Sequence, residues 1–303
     1  MTDLLGVMES WSATATTVRA ESGEVTSIPL ADIVTGKPVP PRPSVRLNVS
    51  AEDAERRALA SWPPLTSQPL GEWVLRAADG FSSRLNSVLA VGDPGRPFSE
   101  ACDAVARFYT CRSLPVWAQV VVGSAVHESF EAAGWVPARP GEADTVFCLA
   151  SVAAALRSAR KQLRRSTVDT EADVDVTTTA GDDWLADDAR ARSHPTTAAR
   201  VLEGPEQVGF AAVREGAHVV AKGRIGGAHE DDWAGITDVW VSPDHRRRGL
   251  GLVVVAGLLE WAAERGATTA YLQVRGDNHA ALGLYERLGF RAHHTYRYLT
   301  TSG

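Results

Sequence analysis

One segment constrains the fold more than any other. Ile236 to Val241 is apolar and β-branched, broken only by Asp238, and reads as a central strand. A turn, Ser242-Pro243-Asp244-His245, leads into Arg246-Arg247-Arg248-Gly249-Leu250-Gly251. Leu252, Val255, Ala256, Leu259 and Ala263 then recur at helical spacing. A glycine-bearing loop thus opens a helix directly after a strand. Unpaired N–H groups and the positive end of the helix dipole converge there, which suits an anion. The glycines let a phosphate approach the backbone without a Cβ in the way. Arginines at the entrance add charge-assisted hydrogen bonds. Taken alone, the loop reads equally well as a tight turn beside a solvated arginine run.

The downstream residues decide between these readings. Ala270 to Val274 is a strand, Gly276-Asp277-Asn278-His279 a loop, and Ala280 to Leu288 a helix closed by Gly289-Phe290. Val241-Ser242-Pro243 with Arg246-x-x-Gly249-x-Gly251, then Asn278 with Leu284-Tyr285-Glu286-Arg287-Leu288-Gly289-Phe290, resembles the GCN5-related N-acetyltransferase (GNAT) superfamily over about 50 residues. The layout of the whole chain resembles actinobacterial tandem-GNAT proteins.

The resemblance implies acetyl-CoA as cosubstrate and an amine as acceptor, a small molecule or a protein. Val239, Trp240 and Val241 would form a splayed strand whose backbone bonds the pantetheine arm and the thioester carbonyl. Arg246, Arg247 and Arg248, with the amides of Gly249, Leu250, Gly251 and Leu252, would hold the pyrophosphate. Asn278 would bind the pantetheine or orient the helix after it. Tyr285 would sit near the sulfur, in contact with the cosubstrate, as general acid.

The chemistry can be argued from the residues. An amine attacks the thioester, and a strand N–H stabilises the developing oxyanion. A phenol with a pKa of about 10 protonates a thiolate of about 8.5 slightly uphill in water, and desolvation of the thiolate helps. A packed aromatic with an idle hydroxyl is the alternative reading of Tyr285. Gln273 stands where some protein-acetylating relatives carry a glutamate base, and it cannot take a proton. Asp238 is the nearest carboxylate on the cosubstrate strand and the candidate base; a polar residue facing elsewhere, or a water chain, is the alternative. Glu230, Asp231 and Asp232 form an acidic tip that attracts a cationic acceptor or is simply solvated. His293 and His294, adjacent on a strand, are expected to face opposite ways. No metal is expected.

The expected fold is α/β (α+β), with two GNAT-like mixed-sheet halves, the first degenerate, after a small SH3-like β-barrel. Residues 1–43 hold the barrel strands and the proline-rich spacer Pro38 to Pro43. Residues 44–150 form the degenerate half, 151–173 a basic linker, and 174–303 the catalytic half. Gln119-Val120 before Phe130-Glu131-Ala132-Ala133-Gly134-Trp135 matches Gln273-Val274 before Tyr285-Glu286-Arg287-Leu288-Gly289-Phe290, which indicates an internal duplication. In the first half Phe130 replaces Tyr285. Its loop Gly92-Asp93-Pro94-Gly95-Arg96-Pro97 lacks the arginine–glycine run and loses two N–H donors to proline. That half is expected not to bind acetyl-CoA productively.

A net charge of −6 over 303 residues argues against a surface built for nucleic acid, despite Arg157, Arg160, Lys161, Arg164 and Arg165 in the linker. Three cysteines without metal or redox spacing fit a reduced, cytoplasmic setting. No apolar run is long enough to span a bilayer, and no membrane partner is expected. The leading expectation is an acetyl-CoA-dependent N-acetyltransferase. The alternatives are acetylation of a protein lysine on a histone-like or nucleoid protein, and a non-catalytic acetyl-CoA sensor.

Overall fold

The computed structural model describes residues 4, 6–20, 23–34, 48–165 and 173–302. The proline-rich spacer at 38–43 lies outside them. The chain divides into two compact units, 1–43 and 44–303. In the first, β1 (Gly6–Trp11), β2 (Ala15–Ala20) and β3 (Val25–Pro29) form an antiparallel meander with β2 in the middle. The strands fall where expected, but β1 and β3 each pair only with β2. The described residues therefore form an open sheet rather than a barrel. Three strands of five or six residues are too few to close on themselves.

The second unit runs α1 (Ala51–Ser61), β4 (Thr66–Leu70), β5 (Trp73–Ala77), β6 (Val88–Leu89), α2 (Phe98–Thr110), β7 (Trp117–Val121), α3 (Ala125–Ala132), β8 (Trp135–Pro137), β9 (Thr145–Ser151) and α4 (Val152–Arg165). It continues with β10 (Val174–Thr177), α5 (Asp182–Leu185), α6 (Ala189–Ser193), α7 (Pro195–Leu202), β11 (Gln207–Glu215), β12 (His218–Gly227), β13 (Trp233–Val241), α8 (Leu250–Glu264), β14 (Thr269–Arg275), α9 (His279–Leu288) and β15 (Arg291–Thr301). One mixed sheet of 12 strands runs through it, ordered β10-β11-β12-β13-β14-β9-β15-β7-β6-β5-β4, with β8 beside β15.

This order reveals an exchange. Strand β9, from the first half of the sequence, pairs along the whole of β14 in the second. Strand β15, the last of the chain, pairs with β7 and β8 in the first. β9 and β15 then pair antiparallel at the centre. The parallel pairs β13–β14 and β6–β7 are equivalent, and Ile236 opposite Leu272 corresponds to Val88 opposite Ala118. That register aligns Gln273 with Gln119, as the repeat requires. Each half is completed by a strand of the other, so the expected boundary through 151–173 separates no units in space.

The basic stretch is a core helix rather than a linker. α4 buries Val152, Ala155, Leu156 and Ala159 in the same cluster as α8 and turns its arginines outward. Each large apolar side chain so buried contributes about 1.5–3 kcal/mol relative to exposure. α8 is apolar nearly all round because it lies between the sheet and α4, with Val254, Val255, Leu258 and Leu259 fully enclosed.

Candidate functional site

The site is made where β13 leaves β14. The two strands pair in parallel only from Trp233 to Ile236, and Thr237 and Gln273 no longer pair with each other. The cause is a bulge. Residues 237 to 240 of β13 span the stretch that only 222 to 224 span on β12. Asp238 takes up the extra residue at φ +55°. Gly223 stands opposite, and a Cβ there would lie 2.7 Å from Val254 Cγ1, so the glycine lets α8 press against the bulge. Beyond it, Ser242 N–H donates to Val220 O (2.9 Å), back toward β12. Strand alternation then turns the N–H and C=O of Val239 and Val241 into the gap, and those of Trp240 toward β12. Of the three residues expected to line the splayed strand, two aim their backbone into the gap. The Trp240 ring instead meets Lys222, whose Nζ lies 5.5 Å from its centroid.

The amide-rich turn flanks this gap. Arg247 (φ +63°) and Gly249 (φ +80°) are both left-handed, and Gly249 caps α8. The first turn bonds begin at Leu252 and Val253, which donate to Gly249 O. The N–H groups of Arg247 through Gly251 have no acceptor among the described residues. A Cβ on Gly251 would lie 3.7 Å from Val241 and 3.6 Å from Leu284, so the turn sits between the end of β13 and α9. The three arginines are not equivalent. Arg246 Nε donates to Val241 O (3.3 Å), and Arg248 pairs with Glu215 (3.0 Å), which His245 also bonds. Hydrogen bonds from His245 and Arg248 hold the Glu215 carboxyl below its usual range. Arg247 has no side-chain partner among the described residues and is the cation left for an anionic ligand.

Asn278 caps α9 through Ala281 N–H (3.2 Å), which assigns it to orienting that helix. Tyr285 is 7% exposed and packs edge-on to Phe290. Its hydroxyl has no hydrogen-bond partner among the described residues. Burial pushes it well above the ordinary phenol range, so its proton is firmly held. Asp238 is not an idle base. Its carboxylate takes Arg190 Nη2 at 2.6 Å, and Arg190 also binds Asp188 at 2.7 Å. Against the cost of burial, hydrogen bonds from Arg190 keep the Asp188 carboxyl below its usual range. The acidic tip is likewise engaged: Asp231 pairs with Arg57 (2.8 Å), and Asp232 bonds Thr268. His293 and His294 do not face opposite ways. A register shift in β15 between Ala292 and His294 brings their Nδ1 atoms to 2.7 Å, and His294 reaches Glu55 (3.1 Å). No cluster suited to a metal occurs among the described residues.

The equivalent place in the first half is filled. Leu89 still pairs with Gln119, and Ala90 N–H bonds Gln119 O (3.1 Å), so β6 stays on β7 where β13 departs. Asp93 N–H donates to the Glu72 carboxylate (2.6 Å) and Gly95 N–H to that of Asp93 (2.8 Å). Phe130 lies among Trp73, Phe98 and Trp135, with centroids 5.4, 4.9 and 4.7 Å away. Carboxylates and rings occupy the donors and the space that an anionic ligand would need.

Sequence reasoning did not single out Arg84, Arg190 or Arg224. Arg224 is wholly buried on β12, with Lys222 two residues before it. The signal was available: charges inside the apolar run Val219 to Ile225 are unusual unless each has a partner or a task.

A splayed parallel strand pair with an amide-rich turn beside it defines the GNAT class of acyltransferases, and this chain is an enzyme of that class. A GCN5-related N-acetyltransferase from Kribbella flavida has the same fold at a TM-score of 0.57 and 18% identity, covering 84% of this chain and 96% of that one. A tandem GNAT protein from the clavulanic acid biosynthesis pathway gives 0.50 at 15% identity, over 70% and 74%. An uncharacterized N-acetyltransferase of Bacillus subtilis, YobR, is 27% identical over 247 residues, 80% of this chain and 96% of its own length. The ribosomal protein bS18-alanine N-acetyltransferase of Escherichia coli is 40% identical over 74 residues, 24% of this chain and 50% of that one. Residues 51–299 match the family described as probable histone acetyltransferase Rv0428c C-terminal, and the chain belongs to it.

Proposed function

We propose that the second half of the duplication binds acetyl-CoA and transfers its acetyl group directly to a primary amine. The observation that carries this reading is the gap between β13 and β14 flanked by the unbonded amides of Arg247 to Gly251. Those amides, the Arg247 guanidinium and the N-terminus of α8 together suit a pyrophosphate. The Val239 N–H, turned into the gap, donates to the oxyanion that forms when the amine attacks. The Tyr285 hydroxyl, buried and without a competing partner, supplies the proton to the departing thiolate. The burial that holds that proton also penalises the thiolate, so transfer becomes favourable as the carbon–sulfur bond breaks.

Asp238 acts as a positioning residue in this account: its ion pair with Arg190 holds the bulge that opens the gap. Neither it nor Gln273 takes the acceptor's proton, so the amine attacks as the free base, and the proton its nitrogen sheds after attack passes through water and replaces the one Tyr285 gives to sulfur. A lysine on a basic protein is the second reading, favoured by the description of the matching family.

The test is coenzyme A release from acetyl-CoA over a panel of small amines, amino acids and basic peptides. Tyr285→Phe should lower turnover about 10²-fold or more while acetyl-CoA still binds. Unchanged turnover in Tyr285→Phe would remove the tyrosine from the mechanism. Binding of acetyl-CoA without turnover of any acceptor would point to a sensor.

A further inference from the structure

On the face of the gap away from α8, the structure holds buried N–H groups with nothing to donate to. Arg224 is 0% exposed, and its Nη2 has no partner. Its other nitrogens are fixed: Nε donates to Leu202 O (2.7 Å), and Nη1 to Ser61 O (3.1 Å) and Thr237 Oγ1 (3.3 Å). Arg84 Nε and Gln273 Nε2 are buried and unpartnered too. These groups are neighbours. Arg84 Nη2 donates to Tyr296 Oη (3.2 Å), which donates to Gln273 Oε1 (3.1 Å). Thr237 and Gln273 are the first residues of the two diverging strands that no longer pair with each other.

Three carboxylates lie around these cations, but each bonds another group. Asp188 and Asp238 are both taken by Arg190. Glu55, a buried carboxylate nearby, is taken by Gln119 (2.9 Å) and His294 (3.1 Å). No carboxylate lies within ion-pair distance of Arg84 or Arg224 among the described residues. Arg224 Nη2, Arg84 Nε and Gln273 Nε2 are thus shut off from water with nothing to bond, an arrangement that costs stability unless an acceptor completes it. Access exists through the gap itself: Arg84, Thr237 and Gln273 are each half-buried rather than buried.

We propose that Arg84, Arg224 and the Gln273 amide form an anion subsite for the acceptor, and that the acceptor is a primary amine carrying a carboxylate. The inference rests on the transferase reading above and narrows it from amines in general to amino acids. The carboxylate would dock on the unpartnered donors and leave the amine beside Thr237 and Gln273, where the gap opens. An acceptor without a carboxylate would satisfy fewer of these donors, so the site discriminates against amides and alkylamines.

The experiment uses the full chain and matched acceptors, free amino acids against their α-amides. Equilibrium binding of each is measured by calorimetry with coenzyme A present, and turnover is measured by coenzyme A release. The acid should bind and react at least tenfold better than its amide. Arg84→Met should raise KM for the acid at least tenfold and leave KM for the amide within twofold. Arg84→Lys should recover part of the loss. Arg84 lies on the loop before β6 and is partly exposed, so these variants are expected to fold, with urea denaturation as the control. Acid and amide bound alike would overturn the proposal, as would preferred turnover of lysine in a basic peptide. Charge-selective, Arg84-dependent binding without turnover would keep the subsite and refute the transferase reading instead.

Discussion

Tyr285 shows what burial does to a phenol. An exposed phenol is one hydrogen-bonding group among many. Here the ring is buried, the hydroxyl has no partner among the described residues, and it keeps its proton through neutral pH. Two other tyrosines are buried for structure. Burial pushes Tyr109 and Tyr271 up to about 12. Tyr271 bonds Ser61 and donates to Ala58 O (3.1 Å), tying α1 to β14. The folded state holds these protons more tightly than the unfolded chain, whose phenols titrate near 10. Their contribution is therefore fully present below pH 10 and is lost as pH rises from 10 to 12. Each should remove up to about 1.4 kcal/mol of stability per pH unit in that window. Urea midpoints compared between pH 9 and pH 11 check this, and Tyr271→Phe should reduce the drop.

At the scale of elements, the bulge in β13 and the helix behind it act as one device. Asp238 in the left-handed region, Arg190 on its carboxylate and Gly223 opposite it together open the gap. Gly223→Ala should cost about 1–3 kcal/mol, because its Cβ would press on Val254 and Leu258. It should also weaken acetyl-CoA binding, since α8 carries the amide-rich turn. Urea denaturation and a binding titration on the same variant check both.

The turn itself was legible in the sequence, because Arg246-x-x-Gly249-x-Gly251 names residues whose backbone conformation does the work. The bulge was not, because Asp238 reads as an ordinary polar break in an apolar strand until its register with β12 is known. The adjacent histidines misled for the same reason: a register shift in β15 undoes the alternation that adjacency implies. The ion pair of Asp238 with Arg190 was not legible either, because local pattern does not encode a contact across 48 residues.

Residues 44–303 are a duplication whose halves differ at the cleft. Repeat and register agree on Gln119 and Gln273, so the duplication was readable. The exchange of β9 and β15 was not, because strand order in a sheet leaves no local periodicity. It makes the halves one structure: Phe147 and Leu149 of β9 pack with Tyr271 of β14, and Leu299 of β15 lies in the core of the first half. The first half keeps the architecture while Glu72, Asp93 and Phe130 fill its cleft. Its remaining contribution lies across the boundary, where Arg84 and Tyr296 meet Gln273.

The proposed function places one acetyl-CoA site on each chain, in the second half, with Arg247 as a phosphate ligand. Calorimetric titration of the full chain with acetyl-CoA tests it most directly. The predicted result is a stoichiometry of one, with affinity weakened at least tenfold by Arg247→Glu, about 1.4 kcal/mol or more. Two sites per chain, or a single site that Arg247→Glu leaves at full affinity, would contradict it.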